Sequence, residues 1–394
     1  MSKAMDLSAI HSALKDLKLD GWLFYDHHHR DPIAYRVLGL DHMMTTRRWY
    51  YLIPAAGEPS KLVHRIESRN LDALPGERHE YSAWREQREK LAAMVGGMKR
   101  LAMEYSALND IPYVGLVDAG TIELVRSFGV EVASSADLVQ LFEARWTPEQ
   151  LAGHLEAGKV VHAAIRSGFQ AIADAIRGGR TTDEYTIQQL ILEAMRAGGV
   201  VPDEPVDVAV NANSSDQHYC ASPSKSKPIR QGDWVLLDVW GKKTTPGSVF
   251  FDITWTGYVG DRVPERHASI FNIVKQARDA AIDLVQTAVR QGRPLAGWEV
   301  DDAARGVIAK AGYGDYFVHR TGHSIGEDIH GNGANMDNFE THDTRPVIPR
   351  TCFSIEPGIY LPEFGVRSEV NVYVEERDAR VTGEIQQAVI PILA

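Results

Sequence analysis

Two cysteines, Cys220 and Cys352, are all that the 394 residues contain. That excludes a disulfide framework and a paired-thiolate zinc site, so any metal has to be held by oxygen and imidazole. No uninterrupted apolar run approaches the ~18 residues of a membrane-spanning helix. The opening MSKAMDLSAIHSALKDLKLDG carries charges through its apolar stripe of Leu7, Ile10, Leu14 and Leu17, which reads as a first helix and not as a secretory leader. No block of like charge forms a nucleic-acid arm. The balance of 42 basic against 53 acidic residues, a formal net charge of −11, has the wrong sign for a phosphate backbone. A cytoplasmic protein is expected, with neither membrane nor nucleic acid as a partner.

What is present is an ordinary globular composition, 44% hydrophobic and 24% charged, long enough for two domains. Residues 1–145 alternate strand patterns, GWLFYD and WYYLIPAAG, with helical ones such as TIELVRSFG, which ends at Gly129. The segment ARWTPEQLAGHL then restarts the chain: Thr147 is placed as N-cap, Pro148 at the first helical position and Gln150 to close a capping box. A boundary is drawn there, with 1–145 as an α/β domain and 146–394 as a helix-rich second domain. The expected fold class is mixed, α/β of the α+β kind. Helices are expected from Leu151 to Gly178-Gly179, from Thr182 to Gly198, and over 264–291 and 299–311. Strands are expected in WVLLDVW, VFFDITWTGYV, TCFSIEPGIYL and GVRSEVNVYVEE.

Each of those four strand segments contains an acid. Asp238 sits in the apolar run Trp234 to Trp240, where an unpaired carboxylate costs several kcal/mol or takes up a proton. Asp252, Thr254 and Thr256 alternate with Phe251, Ile253 and Trp255, so Asp252 faces away from the aromatic side. The intervening GKKTTPGS is turn chemistry, and a hairpin across it would bring the two aspartates together. In the last segment Arg367, Glu369, Asn371 and Tyr373 share one face of a strand. Glu356 lies in FSIEPGIY, an apolar strand stopped by Pro357-Gly358. One lone acid in an apolar run is usually a satisfied hydrogen-bonding group. Four of them, with Arg367 as the one reliable cation in these strands, point to divalent cations.

Imidazoles gather in HRTGHSIGEDIHGNG, which holds His319, His323 and His330 among glycines that would let backbone approach a ligand closely. His218 lies upstream in the polar loop of VNANSSDQHYCASPS. With these residues in view a resemblance becomes specific. VNANSSDQHY, LLDVW followed by FFDITWT, HRTGHSIGEDIHG, FSIEPGIY and GVRSEVNV are similar to the ordered motifs of the pita-bread (M24-type) metallopeptidases. The added N-terminal domain resembles that of creatinase, Xaa-Pro dipeptidase (prolidase) and aminopeptidase P, and methionine aminopeptidase lacks it.

The resemblance implies a pita-bread catalytic domain in the C-terminal half. It also implies two divalent ions on Asp238, Asp252, His323, Glu356 and Glu369. Glu356 would in addition be the acid/base for a metal-bridging hydroxide, His218 and His330 would stabilise the tetrahedral intermediate, and His319 and Arg367 would bind substrate. Oxygen-rich ligands favour a hard ion, manganese before cobalt or zinc. The implied substrates are short proline-containing peptides cut at Xaa-Pro, and a homodimer is expected. His27, His28 and His29 with Arg30 lie outside the matched motifs, so a contribution to substrate binding across a dimer is expected of them and metal binding is not. Retention of all five ligands argues against a metal-free creatinase-like C–N hydrolase, and the intact histidines argue against a silent peptidase-like binding module. A metal-dependent lyase on the same fold stays open, because ligands alone do not fix a reaction.

Overall fold

The computed structural model describes residues 5–41 and 43–394; residues 1–4 and 42 lie outside it. The chain divides into two units, Met1–Ala144 and Arg145–Ala394. Among the described residues no helix is long and apolar enough to cross a membrane.

The first unit is built on a sheet of six strands: β1 (Gly21–Asp26), β2 (Trp49–Pro54), β3 (Ser60–His64), β4 (Glu77–Tyr81), β5 (Arg100–Met103) and β6 (Glu131–Ser134), in the order β4-β3-β2-β1-β5-β6. Strand β1 is buried along its whole length because both faces are covered. Trp22 and Phe24 pack with Ile10 and Leu14 of helix α1 (Leu7–Asp16) and Ile33 and Val37 of α2 (Pro32–Leu38). Leu23 and Tyr25 face the opposite core, with Leu91 of α3 (Trp84–Met94) and Ile122 and Val125 of α4 (Ala119–Arg126).

A buried acid pair interrupts the first of these cores. Glu104 accepts from Trp22 Nε1 at 2.8 Å and Asp31 accepts from Ala34 N at 2.9 Å, while Glu104 Oε2 and Asp31 Oδ2 are buried without a donor. A proton held by the pair supplies the missing donor. Burial accordingly pushes Glu104 up to about 7 and Asp31 well above the usual carboxylate range. Because both folded values are raised, the stability this pair contributes is full below the unfolded carboxyl range and is lost as pH rises through about 7. The melting temperature should therefore fall across that window. In Glu104→Gln, whose amide donates without titrating, the fall should flatten. Identical pH slopes for the two proteins would remove the pair as its source.

The second unit opens with α5 (Pro148–Arg177), which has the expected capping box on Thr147 and Gln150. Helix α6 (Glu184–Ala197) begins later than Thr182, because Thr182–Asp183 pairs as a short strand with Pro228–Ile229 and Asp183 caps the helix through Thr186 N at 2.7 Å. Both helices cover one face of a sheet centred on β8 (Trp234–Lys243), which pairs antiparallel with β7 (Asp207–Val210) and β9 (Phe251–Tyr258). Val235, Leu237 and Val239 of β8 and Phe251 and Ile253 of β9 face the helices, packing with Ile165, Phe169 and Ile191. A second layer pairs α7 (Glu265–Gln291) and α8 (Gly297–Lys310) with a sheet containing β10 (Cys352–Ile355), β13 (Val370–Val374) and β14 (Ala379–Val381).

Two expected strands are each split in two. TCFSIEPGIYL becomes β10 and β11 (Gly358–Tyr360), since Pro357 has no N–H to continue the ladder. GVRSEVNVYVEE becomes β12 (Gly365–Arg367), paired with β11, and β13, paired with β10. Arg367 and Glu369 thus flank a change of partner strand and do not lie within one continuous strand.

Candidate metal centre

The hairpin of β8 and β9 sets Asp238 opposite Thr254 and Trp240 opposite Asp252. Asp238 and Asp252 are therefore diagonal neighbours on one face, the face turned away from α5 and α6. Glu356 follows the end of β10, Glu369 precedes β13, and His323 stands one residue before Ser324–Ile325, which pairs with β10. Gly322 makes that last placement feasible, since a Cβ there would lie 1.9 Å from Ser354 O. The glycine expected to admit a ligand instead admits a neighbouring strand.

The acids and the imidazole converge. Ligand atoms of Asp252, His323 and Glu369 all lie within 4.8 Å of one another. His323 Nε2 is 3.5 Å from Asp252 Oδ2 and 3.4 Å from Glu356 Oε1. His323 Nδ1 meets Ser324 O at 3.1 Å, which assigns its ring proton to Nδ1 and turns the Nε2 lone pair toward the two carboxylates. Burial depresses the His323 pKa, so the ring is neutral there and its Nε2 has no proton to give to either carboxylate.

Thr254 deepens this deficit. Its Oγ1 lies 2.7 Å from Asp238 Oδ1 and 2.7 Å from Glu369 Oε2 and accepts from Arg367 Nε at 2.8 Å. One hydroxyl has one proton to give, so one carboxylate goes short, and Glu369 Oε1 is buried with no partner at all. Burial first, and then the crowding of like charges, pushes Asp252 and Glu369 well above the usual carboxylate range. Glu356 is also raised, with burial again the leading cause. An orphaned buried oxygen, an imidazole lone pair aimed at carboxylates, and acids that resist ionisation are together a donor set suited to cations beyond Arg367. The residues fit a divalent metal.

The remaining candidates fall into three groups. Arg367 is committed within the site, with Nη2 on Asp238 Oδ2 and Nη1 3.4 Å from the Tyr360 hydroxyl. Tyr360 meets His319 Nε2 at 2.7 Å, so His319, Tyr360 and Arg367 form a chain. Burial lowers the His319 pKa to about 3, which keeps it neutral. His330 is exposed, with its ring edge-on to His323 at 4.4 Å between centroids. His218 is exposed on its loop; the neighbouring His323 first, then burial, and after them Arg320 and His218, lower the His330 pKa.

Asn371 and Tyr373, expected on the same charged face, do other work. Asn371 makes a reciprocal pair with the Asp252 backbone, its Nδ2 donating to the carbonyl and its Oδ1 accepting the N–H at 3.0 Å. Tyr373 packs against Trp146, with ring centroids 5.7 Å apart.

Several residues at the site were not anticipated. Asp207 of β7 is the strand partner of Asp238, and burial, then the Asp238 charge, pushes it up to about 8. Its signal in the sequence was the acid inside the apolar run PVDVAV. Thr254, Ser354 and Tyr360 carried no comparable signal, being common strand residues.

The second unit matches the profile of metallopeptidase family M24 over residues 153–376. The chain belongs to metallopeptidase family M24. This M24 chain is 29% identical over 335 residues to the probable dipeptidase PepE of Mycobacterium tuberculosis, covering 83% of this chain and 81% of that one. It is 30% identical over 244 residues to the Xaa-Pro dipeptidase of Lactobacillus helveticus, covering 62% and 60%. Among solved structures, dipeptidase PepE from Mycobacterium ulcerans superposes with a TM-score of 0.72 at 24% identity, over 98% of this chain and 96% of that one. Prolidase from Thermococcus sibiricus gives 0.66 at 21%, over 98% and 100%. The fold is the one those structures share: an α/β domain followed by a pita-bread domain in this M24 chain.

Proposed function

We propose that the chain is an Xaa-Pro dipeptidase working with two divalent metal ions, with 146–394 as its catalytic domain. The observation that carries this reading is the gathering of Asp252, Glu356 and Glu369 about His323, with Asp238 joined to the group through Thr254 and through Arg367, a cation in contact with it. Four carboxylates offer more oxygens than one ion of about six ligands uses, which favours a pair. Two ions held by these groups would acidify a water between them and polarise the scissile carbonyl. Hard oxygen ligands favour manganese, with cobalt or zinc also accommodated.

In this reading Glu356 takes the proton of the attacking water on a carboxylate oxygen and delivers it to the prolyl nitrogen as the C–N bond breaks. Ser354 Oγ, donating to Glu356 Oε1 at 3.1 Å, steadies that carboxylate. His330 and His218 stand at the exposed side, where imidazole N–H groups can hydrogen-bond the developing oxyanion. His319, kept neutral and tied to Tyr360, shapes the pocket, and Arg367 holds either the substrate carboxylate or Asp238 alone. A cytoplasmic homodimer belongs to this reading as an expectation from the resemblance of the sequence motifs, and the oligomeric state is checked by sedimentation of the metal-loaded protein.

The test is a panel of Xaa-Pro dipeptides, Xaa-Pro-Yaa tripeptides and non-proline dipeptides, given to chelated enzyme with Mn²⁺, Co²⁺ or Zn²⁺ restored. Chelation should abolish cleavage, and manganese should restore it best on Xaa-Pro dipeptides. Full activity in a verified metal-free preparation would sink the metal reading. Faster tripeptide cleavage would make the enzyme an aminopeptidase, and a preference for non-proline substrates would make it a general dipeptidase.

A further inference from the structure

A wide cavity lies in the first unit, far in character from the acidic centre. It has a volume of about 970 Å³, and its walls carry Arg30, Arg47, Arg48 and Arg88 together with His27 and His64. We propose that this cavity is an anion-binding site for a phosphorylated small molecule of about nucleotide size.

The charge is one-sided. Asp118 is the one carboxylate in the lining, and both of its oxygens are engaged by Thr121, through N at 2.9 Å and Oγ1 at 2.9 Å. Among the described residues Arg30, Arg48 and Arg88 form no ion pair with a carboxylate. Four cations gathered in one concavity of a chain with net charge −11 repel one another unless an anion joins them. All four are arginine and none is lysine. That choice favours planar, bidentate recognition of phosphate over general attraction to negative charge.

The loop that presents two of these groups is held in place from beneath. Asp26 is 1% exposed, and it accepts the backbone N–H groups of His29 at 3.0 Å, Arg30 at 2.7 Å and Asp31 at 3.2 Å. The Tyr35 hydroxyl donates to it at 2.9 Å. This network holds His28 and His29 at φ values of 65° and 57°, a left-handed conformation that non-glycine residues avoid unless their surroundings impose it. The result places the side chains of His27 and Arg30 on the cavity wall. Burial, and then the charges of His28, Arg30 and Arg48, lower the His27 pKa, which leaves it a neutral hydrogen-bonding ring.

The floor and rim suit an organic phosphate. Tyr25, Tyr81 and Gln87 form a buried polar floor. Trp84 is 56% exposed at the rim, with the Arg88 guanidinium 5.1 Å from its ring centre, so an aromatic surface adjoins the cations.

Calorimetric titration of the metal-loaded enzyme with adenosine monophosphate and with inorganic pyrophosphate tests this. Micromolar binding is expected, with Arg48→Met/Arg88→Met raising Kd by at least ~30-fold and leaving peptide hydrolysis unchanged. Arg48→Lys, which keeps charge and loses the fork, should raise Kd by ~5-fold or more. Exposed Arg88 alone, changed to Ala, should weaken binding without disturbing the core, which covers any folding defect in the double variant. Asp252→Asn should bind both probes as wild type does. Equal affinity in the double variant, loss of binding in Asp252→Asn, or no heat up to about 10 mM would each overturn the proposal. So would binding of an acidic peptide in preference to both phosphates, which would make the cavity a protein-docking surface.

Discussion

Glu356→Gln should yield a folded protein whose turnover is lower by about 10³-fold or more. The amide is close to isosteric with the protonated carboxyl that burial favours at this position, so the packing around β10 has little reason to change. Two capacities disappear together. An amide cannot accept the proton of the attacking water, and it brings no negative charge to offset a divalent ion. Turnover on an Xaa-Pro dipeptide should collapse, with metal content measured in parallel. Wild-type turnover with both ions retained would show that the proton is handled elsewhere.

Arg367→Met should be the most destabilising change at the site in metal-free protein, by about 3–5 kcal/mol. Arg367 and Asp238 are 5% and 9% exposed and bonded to one another, so removing the guanidinium leaves a carboxylate buried without a cation. The loss corresponds to a melting point lower by roughly 10 °C in a unit of this size. Metal-loaded protein should suffer less, because an ion can take over the neutralising role. Arg367→Lys separates structure from recognition, since it keeps the charge but cannot span Thr254, Tyr360 and Asp238 together. If the fork also holds the substrate carboxylate, kcat/KM on free-acid Xaa-Pro should fall by at least ~10-fold, with a much smaller effect on a C-terminally amidated substrate. Equal losses on both substrates at unchanged metal content would confine Arg367 to neutralising acids.

The centre was readable in the sequence because its chemistry conflicts with its surroundings. Acids such as Asp238 and Asp252 stand out in Val- and Phe-rich strands, and the turn residues between them permit a hairpin that the strand register then reproduces. Alternation along VFFDITWT correctly separated the acidic face from the one packed on α5. Alternation along GVRSEVNVYVEE was a poorer guide, because the change of partner strand at Ser368 and Glu369 depends on contacts distant in sequence. Asp207 was missed for the same reason: its role comes from lying opposite Asp238, and cross-strand neighbours are not visible along one strand. Of the arginine-lined cavity only the loop of His27 to Arg30 stood out in the sequence, as an expected contributor to substrate binding across a dimer, since Arg47, Arg48 and Arg88 join it only once the sheet has formed.

The reciprocal pair between Asn371 and the Asp252 backbone has a mechanical consequence. It does between two sheets what a ladder does within one, and it does so beside the acids. Parting the sheets at that point would expose a carbonyl and an N–H that are now buried together, so breathing of the cleft walls is an expensive motion. A substrate therefore has to be admitted by the surrounding loops, while the walls that hold the acids keep their spacing through each cycle of entry and release.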